Sequence, residues 1–184
     1  MSNEKKYGKE KEFIERISKL DRAERAALKR CSGSPLSEAR GESLGVFYQC
    51  LPYGTPIYQE EVYFIVATLI ARFKNLPEAE WINNAGSEAD LGWSLRITLR
   101  EKGVSTGRDA KFKALLDTRL ENQDGSFHHK LHQLIRLVDS KEVPVNWLRL
   151  LNDLLFWNSH LKSVQKRWAR NYFTQLKEDE DYAN

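Results

Sequence analysis

The stretch Thr55-Pro-Ile-Tyr-Gln-Glu-Glu-Val-Tyr-Phe-Ile-Val-Ala-Thr-Leu-Ile-Ala-Arg-Phe73 decides the fold class. Val62, Ile65, Val66, Leu69, Ile70 and Phe73 recur at intervals of three and four, the spacing of one buried helix face. Several of these residues are β-branched and would also suit a strand. The length of the run and its Thr55-Pro56 start favour a helix, because proline fits the first helical turn, where its missing N–H costs nothing. The longest apolar run, Val62–Ala71, falls well short of the roughly 20 residues needed to span a bilayer.

The same reading extends in both directions. Upstream, Phe13, Ile14, Ile17 and Leu20 form the stripe of a first helix. Asp21-Arg-Ala-Glu24 has capping-box spacing and opens a second helix reaching Arg30. Cys31–Pro35 reads as a loop, and Leu44–Leu51 as a short helix ended by Pro52. Downstream, Asn75–Gly86 reads as a polar linker. Ser87–Asp90 caps a helix carrying Leu91, Leu95 and Leu99, which Gly103 stops. Thr106–Asp109 caps another, with Phe112, Leu115 and Leu116 inside. Gly125-Ser126 precedes a helix with Leu131, Leu134, Ile135 and Val138. Trp147–Trp157 is apolar nearly all round, which predicts the most buried helix. Ser159 is expected to cap the last helix, with Leu161, Val164, Trp168 and Tyr172 on its inner stripe. Trp93, Trp147, Trp157 and Trp168 are read as core.

These elements predict an all-α protein of two small packed helical bundles, residues 1–104 and 105–184, the second ending in an acidic tail. With 41% hydrophobic and 11% aromatic residues, the 184-residue chain can bury a core. Cys31 and Cys50 form no CxxC pair, so free thiols in a reducing cytoplasm are expected. The polar start, Met1–Lys11, lacks the apolar region of a signal peptide.

The net charge of +3 conceals an asymmetry. Residues 1–95 hold 13 basic and 14 acidic groups, residues 96–177 hold 16 and 8, and Glu178–Asp181 adds four acids. A basic second half suggests a polyanionic partner. Lys162, Lys166 and Arg170 fall at i, i+4 and i+8, with Arg167 beside them and no acid between Leu161 and Lys177. Like charges at that spacing repel, so a stripe of this kind suits an anionic ligand. Arg22, Arg25, Lys29 and Arg30 repeat the pattern, relieved by Glu24. Arg96 and Arg100 form another pair, and Arg108, Lys111 and Lys113 cluster around the start of the Phe112 helix. Each such side chain can neutralise one phosphate and release counterions. Few Asn or Gln stand beside them, so sequence-specific reading of bases is not indicated. Aromatics lie mostly on apolar stripes, which leaves no evident stacking platform for bases.

His128, His129 and His132 raise the question of a metal. A stable site needs further ligands, and Arg136 on the same stripe repels a cation. They are read as surface histidines, with no metal and no cofactor. Paired carboxylates, a Walker loop and a Ser/His/Asp pattern are not visible, which disfavours an enzyme.

Three strings carry a resemblance to a known family. Leu20-Asp-Arg-Ala-Glu-Arg-Ala-Ala-Leu-Lys-Arg30, Trp147-Leu-Arg-Leu-Leu-Asn-Asp-Leu-Leu-Phe-Trp157 and Val164-Gln-Lys-Arg-Trp-Ala-Arg-Asn-Tyr-Phe173 resemble the small subunit (CasB family) of the type I-E CRISPR Cascade complex. The closing string is the most specific of the three. The resemblance implies an all-helical, non-catalytic subunit that assembles with other Cascade subunits and crRNA. It implies two copies arranged head to tail, whose basic surface contacts the displaced single DNA strand and supports the R-loop, while guide pairing selects the target. Carried over by alignment, the implied contacts are Lys29, Arg30, Lys111, Lys113, Arg119, Lys130, His132, Arg136, Lys166, Arg167 and Arg170. Arg108 and Lys162 join them from the charge pattern. A neutral His132 where arginine is common would weaken its contact. The family often has Gly-Arg where this chain has Gly92-Trp93, so no contact is assigned there. The competing readings are a sequence-specific helix-turn-helix regulator, which would need base-reading side chains on a recognition helix, and a metal-dependent nuclease using the three histidines, which lacks carboxylates to hold the ion.

Overall fold

The computed structural model describes residues 8–73, 89–100, 106–121 and 125–174. The expected linker at 75–86, the Gly103 stop and the acidic tail lie outside the described residues. Among those described, nine α-helices and no strands are present, so the all-α expectation holds. The helices are α1 (Gly8–Ser18), α2 (Arg22–Arg30), α3 (Gly41–Cys50), α4 (Ile57–Arg72), α5 (Leu91–Arg100), α6 (Thr106–Leu116), α7 (Ser126–Ser140), α8 (Trp147–Leu155) and α9 (Ser163–Phe173).

Helix α2 starts as its sequence dictates. The Asp21 side chain accepts the Glu24 N–H, and the Glu24 side chain accepts the Asp21 N–H, each at 2.9 Å. Both otherwise unsatisfied donors of the first turn are thereby paired. Helix α4 is buried more completely than a single stripe implies, because every residue from Val62 to Ala71 is buried. Helices α1, α2, α7 and α8 all pack on it, leaving no wet side between Val62 and Ala71. Helix α4, not α8, is therefore the central helix. In α8, Leu148, Arg149, Asn152 and Leu155 are only half-buried, and Phe156 just beyond it is exposed.

The last helix begins later than its stripe suggests. Ser159 and Lys162 instead close tight turns, Ser159 N–H to Phe156 C=O and Lys162 N–H to Ser159 C=O. Lys162 occupies the N-cap in a left-handed conformation (φ 48°). Leu161 is consequently 61% exposed and does not join the inner face, which consists of Val164, Trp168 and Tyr172. Burying each such apolar or aromatic side chain contributes about 1.5–3 kcal/mol, enough to hold a short helix.

Packing crosses the middle of the sequence. Helix α5 lies on α9 and α7, and α6 lies on α7, while α8 reaches back to α4 and α1. One contiguous set of buried side chains runs from Phe13 to Tyr172.

Candidate nucleic-acid interface

Helices α5 and α9 run parallel, side by side. Asp90, just before α5, accepts the Asn171 amide (2.9 Å) and the Arg167 guanidinium (3.3 Å). Two residues on, Gly92 meets the α9 backbone at Trp168: a Cβ there would fall 2.8 Å from Trp168 Cα and closer still to its carbonyl oxygen. Farther along, the Arg96 guanidinium caps α9 by donating to the Thr174 carbonyl. Only glycine permits this approach, because any other side chain would push the two backbones apart.

On its other flank α9 meets α6. The Phe112 ring packs 4.4 Å from that of Tyr172, the Tyr172 hydroxyl donates to buried Asp109 (2.6 Å), and Lys113 Nζ stands 5.6 Å above the Phe173 ring. With α5 on one side and α6 on the other, the remaining face of α9 points to solvent. Lys166 and Arg170, four residues apart, occupy that face and are exposed. Lys113, over Phe173, stands beside that face, and Lys111, two helical steps or about 200° away, is exposed on the other flank of α6. No described carboxylate forms an ion pair with any of these four.

Arg167 behaves differently. One helical step of about 100° turns it from the outer face toward α5. There it bridges two buried carboxylates, Asp90 and Asp153. Asp153 also accepts the Trp168 indole N–H at 2.7 Å, and Asn171 adds its amide to Asp90. Burial pushes the Asp90 carboxyl above its usual range, and nearby Asp153 adds to that. The Trp93 backbone N–H, the Asn171 amide and the Arg167 charge oppose the shift. Arg167 thus neutralises internal acids, with a third of its side chain still exposed. Breaking a pair of this kind leaves a buried charge uncompensated, which costs about 3–5 kcal/mol.

The other basic positions are dispersed. Lys29 and Arg30 are exposed at the end of α2, where Arg30 pairs with Glu42 at 3.1 Å. Arg25 is taken up internally, donating to the Phe73 carbonyl at the end of α4 (3.1 Å). Arg119 is exposed beyond α6, Lys130 is half-buried, and Arg136 is exposed on α7. Lys162 is exposed at the start of α9. Arg108 lies within α6.

The histidines require correction. His128 is buried, not superficial, with Nε2 2.6 Å from Glu61 Oε1, which also accepts the Leu36 N–H (2.9 Å). The carboxylate can only accept, so His128 donates from Nε2. His132 packs against the turn after α2, where Gly33 (φ 97°) leaves room for its ring. Burial lowers the His132 pKa to about 4, helped by the charges of Arg72, Arg136 and His129. At neutral pH this ring brings no positive charge. Of the three, only His129 is exposed, and its Nε2 lies 2.6 Å from the Gln133 amide. Among the described residues, no three His, Cys, Asp or Glu side chains come together as metal ligands.

Trp147, Trp157 and Trp168 are core residues, as their stripes predict, but Trp93 is 37% exposed. Cys31 and Cys50 are both free and buried, and burial raises the Cys50 thiol pKa. No described helix is long and apolar enough to cross a membrane. Asp90 caps α5 as the sequence predicts, accepting the Trp93 N–H at 3.1 Å. Sequence reasoning missed its pairing with Arg167 and Asn171, and missed Gly92 and Asp153. Asp153 left a signal, as a lone acid in an apolar helix.

Solved structures with this arrangement of helices define a class. The CasB structure from M. ruber superposes with a TM-score of 0.70 at 25% identity, over 90% of this chain and 92% of that one. A chain of a CRISPR RNA-guided surveillance complex shares the fold at TM-score 0.68 and 23% identity, with the same coverage. Similarity in sequence points the same way. The CRISPR-associated protein Cse2 of Thermus thermophilus is 28% identical over 138 residues, 70% of either chain. The family model for CRISPR-associated protein Cse2 matches residues 24–173, so the chain belongs to the Cse2 family.

Proposed function

We propose that this protein is a non-catalytic, cytoplasmic subunit of a crRNA-guided type I-E CRISPR surveillance complex (Cascade). In this reading it holds the displaced DNA strand by its phosphates and so stabilises the R-loop in antiviral defence. The observation that carries the reading is the outward face of α9 and α6. Lys113, Lys166 and Arg170 are exposed there, with Lys111 on the other flank of α6. The helices are held by buried contacts, and among the described residues none of the four has an ion-pair partner. A row of unpaired cations on a rigid support suits a phosphate chain and reads no sequence. Lys29, Arg30, Arg108, Arg119, Lys130, Arg136 and Lys162 belong to the same proposal as outlying contacts. Arg167 and His132 contribute through packing, since one is neutralised internally and the other is uncharged at neutral pH.

Membership of the Cse2 family and the shared fold of a surveillance-complex chain support assembly with other subunits and crRNA. So does an exposed apolar corner where the loop after α3 enters α4: Tyr53, Ile57 (84% exposed) and Tyr58 (81%) stand together in sequence and in solvent. Such a patch suits a protein partner, either another subunit or a second copy in a head-to-tail pair.

The test removes the row while sparing the buried network. The full-length variant Lys111→Ala/Lys113→Ala/Lys166→Ala/Arg170→Ala is titrated with mixed-sequence single-stranded DNA at several salt concentrations. Affinity should fall, and the log–log salt slope should flatten by about 0.7 for each phosphate no longer neutralised. Unchanged affinity in a folded variant overturns the proposal. A footprint on one particular duplex would favour a regulator instead.

A further inference from the structure

The largest exposed side chain beside the α9 basic face is Trp93. The inner face of α5 is built by Leu91, Leu95 and Leu99, all buried. Trp93 points away from them, on the solvent side of a helix whose neighbouring positions are Arg96 and Ile97. Its height along the helix pair is fixed by two contacts already described. Gly92 abuts Trp168 and Arg96 reaches Thr174, so Trp93 stands level with the turn of α9 that contains Arg170.

Trp157 and Trp168 show what a structural indole does here. Trp157 is buried, donates its N–H to the Thr118 carbonyl (2.9 Å) and packs on Phe127 and Trp168. Trp168 is buried and donates to Asp153. Among the described residues, the Trp93 ring has neither an aromatic partner nor an acceptor for its N–H. Its backbone N–H alone is bonded, to Asp90 (3.1 Å).

We propose that Trp93 is a stacking platform for an unpaired base of a single-stranded nucleic acid whose phosphates follow Lys166 and Arg170. The inference rests on the reading under Proposed function and adds a second kind of contact to it. Charge decides the occupant. Arg96 lies one helical turn from Trp93, and Lys166 and Arg170 are exposed on the adjacent helix α9. The neighbouring acid Asp90 is paired with Arg167, and no acid occurs in the sequence from Leu161 to Lys177. An apolar protein side chain gains nothing from such cations, whereas a nucleotide uses both the flat ring and the charges. By contrast, the apolar corner at Ile57 and Tyr58 lies beside Glu60 and Glu61, which disfavour a polyanion. Every base has a π-face, so stacking adds affinity without sequence preference.

The experiment compares two strands and three proteins. A short fluorescent oligodeoxythymidine and an abasic strand of equal length are titrated into full-length wild type, Trp93→Ala and Trp93→Phe, with melting temperature as the check on folding. Wild type should bind the thymidine strand more tightly than the abasic one. Trp93→Ala should bind the thymidine strand about five- to a hundredfold more weakly. It should bind both strands alike, with an unchanged salt slope, because every cation that faces a phosphate is still present. Trp93→Phe should recover most of the difference. If wild type binds both strands equally, and Lys166→Ala/Arg170→Ala weakens both, the platform is overturned while the phosphate row stands. If wild type binds neither strand, both readings fall. If Trp93→Ala leaves DNA affinity intact but lowers recovery of the chain in an assembled complex, Trp93 is a protein anchor and the proposal is wrong.

Discussion

Helices α2 and α9 look alike as sequences and differ as surfaces. Each is short, basic and apolar on one side. In α2 the fold takes up two of the four basic side chains, since Arg25 caps α4 and Arg30 meets Glu42, while Glu24 completes the capping box. In α9 it takes up one charge, Arg167, and uses it to satisfy two buried acids. Lys166 and Arg170 remain outside. What distinguishes the helices is the supply of carboxylates and free carbonyls within reach, which depends on residues far away in the chain.

The comparison can be broken most severely from beneath α9. Asp153→Ala removes one of the two acceptors of Arg167 and the acceptor of the Trp168 indole. It should cost about 3–5 kcal/mol, read as a shift in the urea midpoint. A loss below about 1 kcal/mol would mean that the network is not what orients the helix. Gly92→Ala attacks the same packing without touching a charge. The added methyl meets the Trp168 backbone, so a loss of about 3 kcal/mol is expected, with weaker DNA binding as α9 shifts. The matching change on α2, Ala26→Gly, should cost only about 1 kcal/mol and leave DNA binding intact.

Titration sharpens the contrast further. The folded His132 ring resists protonation until about pH 4, whereas an unfolded one accepts a proton near 6.5. Stability tied to this ring is complete above the unfolded value and is lost as pH falls from about 6.5 toward 4. The midpoint difference between wild type and His132→Gln should therefore narrow across that window. Single-stranded DNA affinity should show no His132-dependent step near pH 6.5, and such a step would place a charged ring on the binding face. The smallest effect belongs to α2. Arg30→Ala should change stability by about 0–1 kcal/mol, because an exposed pair with Glu42 gains little. It should also weaken DNA binding less than Arg170→Ala, and the reverse order would invert the comparison.

Much of the fold was legible because helices declare themselves locally. The capping box at Asp21 and the stripe of α4 need no distant partner to be read. The start of α9 was misread because Leu161 lies at the correct spacing from Val164 and Trp168, while the turn at Ser159–Lys162 follows from the end of α8. The burial of His128 could not be foreseen, since its partner Glu61 lies 67 residues away. The inward turn of Arg167 depends on Asp90 and Asp153, one of them 77 residues distant. Gly92 gave no signal, because a glycine required by a neighbouring backbone resembles one that is merely tolerated.

The pairing of α5 with α9 also sets an order of events during synthesis. Asp90 leaves the ribosome well before Arg167 and Asn171, the side chains that satisfy it. Until the last helix arrives, the flank of α5 that will receive it stays wet and the acid beside it is unmatched. Helices α1 and α2, which pack on α4, are made before it, while α7 and α8, which also cover it, come later. The surface proposed to meet the DNA is thus built from the last-made helix, and a chain released one helix short would lack it together with the Val164, Trp168 and Tyr172 part of the shared core.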